Sequence, residues 1–107
     1  MKTDRELLEL AAKAVGMNTR EFATDSITRW HWRDDGTHTA WNPLTDNSDA
    51  LRLAVKLCLE IDVHHTGIAV RTPCGQKVLI SADEVKCGYA ATRRAITRAA
   101  AAIGERE

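Results

Sequence analysis

Aromatic side chains are scarce in this 107-residue chain: three Trp, one Tyr and one Phe. Large aliphatics are few as well. Leu, Ile, Val and Phe total 22 of the 47 apolar residues, while Ala alone supplies 16. A core built this way needs helices that pack closely, and it confers modest stability. Net charge is missing, because fifteen basic residues balance fifteen acidic ones. No global field therefore steers the chain toward nucleic acid, a membrane surface or an acidic ligand. No apolar run approaches the roughly 18 residues of a membrane span. The charged opening Met1-Lys2-Thr3-Asp4-Arg5-Glu6 does not read as a secretory signal. Cys58, Cys74 and Cys87 are an odd number without a paired framework, which suits free thiols in a reduced cytoplasm. No repeat, linker or low-complexity tract interrupts the chain, and its length is that of one domain.

What is present reads as seven elements. Thr3 and Glu6 form a capping box ahead of a helix over residues 4–15, and Gly16 supplies its left-handed stop. Met17 to Asp25 has no clean period and reads as a connection that buries Phe22. A hairpin over 27–41 follows, with Asp35-Gly36 as its turn, because both positions of a two-residue loop take positive φ. That loop sets Trp32 opposite Thr39 and Trp30 opposite Trp41. Trp30, Trp32 and Trp41 then cluster on one buried face, and Arg29, His31 and Arg33 emerge on the other. A helix over 49–59 is apolar on most of its circumference, with Arg52, Lys56 and Glu60 as a polar stripe, and so is expected at the centre of the fold. Ile61 to Val63 can extend as a short strand. A second hairpin over 67–81 turns at Pro73-Cys74-Gly75, placing Ile68, Val70, Val78 and Ile80 on one face and Arg71 and Lys77 on the other. The last helix, 89–103, carries the stripe Tyr89, Thr92, Ile96, Ala99 and Ile103, with Arg94 and Arg98 outside and Gly104 as its stop. The expected architecture is a single α+β domain in the order α-β-β-α-β-β-α: a small, mainly antiparallel four-stranded sheet packed with three helices, like an α-β-α sandwich.

Four blocks carry a resemblance. They are Thr3 to Ala14, Trp41-Asn42-Pro43-Leu44-Thr45-Asp46, Asp49 to Leu57, and Tyr89 to Ile96. Together they resemble a family of small phage and prophage proteins of the phage α-β-α sandwich type, whose hallmark is the Trp-Asn-Pro loop. The blocks cover under half of the chain but span it end to end. The resemblance implies a phage origin and an accessory role, and it supplies no catalytic residue. The stretch from Cys58 to Cys87 lies outside it.

The chemistry-bearing residues are weighed against plain structural roles. His64, His65, Cys74 and Cys87 offer zinc ligands, but adjacent strand histidines point to opposite faces and no paired ligand spacing exists, so no metal or other cofactor is expected. Cys74 sits in an exposed turn that a nucleophile could use, yet no base is identified, and neither Ser48 nor Ser81 lies in an elbow motif. Asp34-Asp35, Asp46 with Asp49, and Asp83-Glu84 stand where turns and helix starts favour acids. Arg29-Trp30-His31-Trp32-Arg33 interleaves bases with aromatics as a stacking platform does, but strand alternation parts the two sets. Residues 86–107 carry five basic and two acidic groups, which suits a solvated helix end. Nucleic acid is therefore a minor alternative.

What remains is a surface. With the two hairpins side by side, Arg29, His31, Arg33, Arg71 and Lys77 share a basic sheet face suited to an acidic protein partner. The leading expectation is a non-enzymatic phage accessory protein in the bacterial cytoplasm. It is a monomer or weak dimer that binds a host or phage macromolecule, most concretely to inhibit a host defence system. The alternative is a small-ligand or nucleotide binder using the loop of Trp41, Asn42 and Asp46.

Overall fold

The computed structural model describes residues 2–17, 19–22, 25–32, 38–81 and 88–106, with side chains at 2–17, 40–81 and 88–106. The chain is α+β with antiparallel strands, in the order α1 (Asp4–Ala14), β1 (Thr19–Phe22), β2 (Asp25–Trp32), β3 (His38–Trp41), α2 (Asn47–Lys56), β4 (Glu60–His64), β5 (Gly67–Arg71), β6 (Lys77–Ser81) and α3 (Gly88–Glu105). The described strands form two three-stranded sheets, β1-β2-β3 and β4-β5-β6, instead of one four-stranded sheet. The strands beyond the expected four are β1 and β4, and β4 covers the stretch Ile61 to Val63 whose extension the sequence allows. β1 occupies the stretch read as a connection, where Thr19, Arg20 and Glu21 pair with His31, Trp30 and Arg29. Whether Phe22 is buried lies outside the described side chains.

The helices form as their sequence signals require. The Thr3 hydroxyl accepts from the Glu6 amide at 3.2 Å, and the Glu6 carboxylate accepts from the Thr3 amide. At the other end of α1, Gly16 at φ 70° lets Met17 donate to the Ala12 carbonyl and Gly16 to that of Lys13. This pair of bonds closes a Schellman motif. α2 ends in the same motif three residues before its expected stop, with Leu59 donating to Ala54 and Cys58 to Val55. Here the left-handed position, φ 54°, is held by Cys58.

The core lies between α3, α1, α2 and the inner face of the second sheet. α1 packs chiefly on α3. Ala11, Ala95, Ala99 and Ala100 are fully buried, so the alanine-rich composition becomes a close helix–helix seam. Gly104 belongs to that seam and is not the stop of α3, which runs on to Glu105: a Cβ there would overlap the Leu10 carbonyl oxygen. The expected stripe of α3 holds at Ile96 and Ala99, which are buried, but not at Tyr89, which is 73% exposed; Ala91, Ala95, Ala100, Ala101 and Thr97 complete the inward face. Thr97 is satisfied by donating its hydroxyl to the Arg93 carbonyl at 2.8 Å.

α2 is peripheral rather than central. It buries Ala50, Leu53 and Ala54 and leaves Leu51 and Val55 61% and 70% exposed. Its apolar circumference exceeds what the fold covers.

Register separates the two hairpins. In the second, Ile68 pairs with Ile80, Val70 with Val78 and Arg71 with Lys77, as the turn dictates. Gly75 holds φ 96°, and the Thr72 amide donates to the Gln76 carbonyl at 2.9 Å. In the first, Arg29 stands opposite Trp41, His31 opposite Thr39 and Trp32 opposite His38. This is one residue away from the register that Asp35-Gly36 implies, and one residue moves a whole strand to the other face. Trp41 therefore stands opposite Arg29 and Trp30 opposite Ala40, in place of the expected pairing of Trp30 with Trp41. The expected clustering of Trp30 and Trp32 with Trp41 concerns side chains outside the described ones. Residues 33 to 37, with Arg33 and the Asp35-Gly36 turn, lie outside the described residues.

Candidate functional site

The loop from Trp41 to Asp49 is built inward. Trp41, Asn42, Pro43 and Leu44 are all buried, and Trp41 ties the first sheet to the helical core. The Asn42 side-chain oxygen accepts from the Leu44 amide at 3.0 Å, and its carbonyl accepts from the Asp46 amide at 2.9 Å. The Asn42 amide donates to Asp49 Oδ2 at 3.0 Å. Asp46 caps α2 by accepting from the Asp49 amide at 3.0 Å. From α3, Arg93 donates to the Leu44 carbonyl at 2.8 Å and to Asn47 Oδ1 at 2.6 Å. Burial raises the Asp49 carboxyl above its ordinary range, against the opposing pull of the Asn42 amide. Of the loop candidates, Trp41 is buried in the core, and Asn42 and Asp46 use hydrogen bonds to hold the loop and the start of α2. Neither Arg93 nor Asp49 was legible as a partner of this loop. Arg93 is 46 residues from Asn47, beyond any local spacing rule.

A second constellation surrounds Cys74. Its exposed thiol lies 3.0 Å from the Thr72 hydroxyl, 3.8 Å from the Gln76 side-chain oxygen and 3.1 Å from an Arg106 nitrogen. The Thr72 hydroxyl, then the Gln76 backbone and the Arg106 charge, hold this thiol below its ordinary value. That favours the thiolate, but these described neighbours include no general base. Arg106 comes from the far end of the chain, which spacing does not reveal. Cys58 is also a free, exposed thiol, and Cys87 lies outside the described residues. Among the described residues no three His, Cys, Asp or Glu side chains gather as a metal site. His64 stands on β4 and His65 in the turn after it.

The third candidate is the outer face of the second sheet. Strand alternation puts Glu60, Asp62 and His64 of β4, Ala69 and Arg71 of β5, and Lys77, Leu79 and Ser81 of β6 on the side away from the core. All except Ala69 are exposed. Arg71 and Lys77 are cross-strand neighbours, with Glu60 on the other side of Arg71. Leu79 is 64% exposed beside them. A shallow concavity of about 260 Å³ opens at one end, lined by His64, Thr66, Gly67, Ala69, Leu79 and Ser81 among others. The expected basic face is therefore divided. Arg71 and Lys77 come together, but no described strand pairing joins them to Arg29 and His31, which belong to the other sheet. The acids on β4 also make the face mixed in sign rather than basic.

Comparison of the chain with protein-family models, with curated proteins and with solved structures finds no match.

Proposed function

We propose that this chain is a non-enzymatic binding protein that engages a macromolecular partner through the outer face of β4, β5 and β6. The observation that carries the reading is the group Arg71, Lys77 and Leu79: exposed, adjacent, and without an ion-pair partner among the described residues. Alternation along the strands means that the core does not need these side chains, so the face can be shaped by a partner. Two cations beside an apolar side chain suit a protein surface that offers carboxylates around an apolar spot. Such charges act mainly on encounter rate and specificity. The likeness of the four sequence blocks to small phage proteins supports a phage or prophage accessory role in a bacterial cytoplasm, with inhibition of a host defence system as its most concrete form. Free thiols at Cys58 and Cys74 agree with a reducing compartment. No described helix is long and apolar enough to cross a membrane.

The test is affinity capture from a bacterial lysate with the wild-type chain and with Arg71→Glu/Lys77→Glu, each beside a melting curve. The wild type is expected to retain a specific protein that the variant releases while melting within about 0.5 kcal/mol of it, as exposed substitutions do. Equal capture by both overturns the assignment of this face.

A further inference from the structure

We propose that the outer face of β4, β5 and β6 recognises an extended protein segment with an acidic residue two positions from a large apolar one. The inference rests on the docking face proposed above and names what that face reads. Residues two apart on a strand share a face, so this surface is a grid of cross-strand rows. Glu60, Arg71 and Lys77 form the first row, and Asp62, Ala69 and Leu79 the second. The third row is His64, Gly67 and Ser81.

The first row selects charge. Thr72 and Gln76 close the turn with a hydrogen bond, so Arg71 and Lys77 beside them are a non-hydrogen-bonded pair, the kind with the closer side chains. Their charged ends can meet on one carboxylate. Glu60 and Asp62 repel a second acid on the β4 side, which confines the acidic group to the half over β5 and β6. The other two rows select an apolar group. Ala69 and Gly67 have little or no side chain, and the concavity of about 260 Å³ lies there, beside exposed Leu79. The fold keeps Gly67 bare, since a Cβ there would meet the Ile80 carbonyl oxygen at 2.6 Å.

Spacing joins the two selections. Two strand residues span about 7 Å, and alternate side chains of an extended segment repeat that distance. An acidic residue over Arg71 and Lys77 thus sets the side chain two positions away over Ala69, against Leu79. The concavity is too shallow to enclose a small ligand. Nucleic acid repeats its charge along the backbone and would find a single cation pair beside two acids. A protein segment is the occupant that uses both features.

The test is selection of displayed random heptapeptides on the purified wild-type chain, with the enriched peptides then measured by fluorescence anisotropy. Asp or Glu two positions from Leu, Ile, Met or Phe is the expected enrichment. Arg71→Glu/Lys77→Glu should weaken these peptides at least about tenfold, and selection on that variant should exchange the acid for Lys or Arg. Ala69→Leu fills the concavity and should remove the apolar preference while keeping the acidic one, with circular dichroism unchanged. Leu79→Ser, at an exposed side chain, should weaken the same peptides without touching the core. A wild type that enriches no such spacing, or enriched peptides that bind the double variant as tightly as the wild type, overturns the inference. If lysate capture still depends on Arg71 and Lys77 in that case, the docking face stands and only its specificity is wrong.

Discussion

Cys58 occupies a left-handed position that helices usually end with glycine. Its side chain is exposed, so nothing in the core compensates for the backbone cost. Cys58→Gly is expected to stabilise the chain by about 0.5–1 kcal/mol, the relief of left-handed strain less the entropy of a freer unfolded residue. A higher Tm checks this, and a lower one contradicts it. Gly104 behaves oppositely. Its missing Cβ lets α3 cross the Leu10 carbonyl, so Gly104→Ala should cost about 1–3 kcal/mol by forcing the helices apart. Denaturant unfolding measures that loss. The two residues show where sequence was readable. Gly16 and the capping box at Thr3 were legible because they act within one turn. Gly104 looked like a stop because its contact, Leu10, is far away in sequence, and Cys58 gave no signal because cysteine rarely takes that conformation.

At the scale of elements, the α2 entrance is a single hydrogen-bonded unit, with Asp46 capping the helix and Asp49 reaching back to the Asn42 amide. Asp49→Ala leaves a part-buried amide without an acceptor and should cost about 1–3 kcal/mol, while Asp49→Asn keeps an acceptor oxygen and should cost less. The pH dependence separates charge from hydrogen bonding. Burial raises the Asp49 carboxyl, so the folded chain holds this proton more tightly than the unfolded one. Its contribution to stability is fully present below the ordinary carboxylate range and is lost as pH rises through the raised folded value. Melting curves across acidic pH should therefore show a downward component in the wild type that Asp49→Asn lacks. A difference between them of opposite sign would contradict the burial argument. The hairpins carry a parallel lesson. Thr72 to Gln76 contains proline and glycine in positions that permit one register, and that register was readable. Asp35-Gly36 permits a two-residue loop, but the Arg29–Trp41 pairing displaces the strands by one residue, which local turn chemistry does not reveal.

Across the whole molecule, the fold class and the three helices were legible because helical and strand periods are local. The division into two sheets was not, since which strands pair is a long-range matter. That division also reshapes the candidate surface. Arg71 and Lys77 remain neighbours, and they gain Leu79 and the acids of β4 as company in place of Arg29 and His31. Trp41 and Asn42 drop from the surface into the structure that supports it, while Asp46 stays exposed as the cap of α2. The claim that most depends on this arrangement is that the outer face of the second sheet meets the partner. Hydrogen exchange of the chain with and without its captured partner tests it most directly. The account predicts new protection of backbone amides across Glu60–His64, Gly67–Arg71 and Lys77–Ser81, with α3 and the Trp41 to Asp49 loop unchanged. Protection confined to that loop or to α3, with the three strands exchanging as in the free chain, would contradict it.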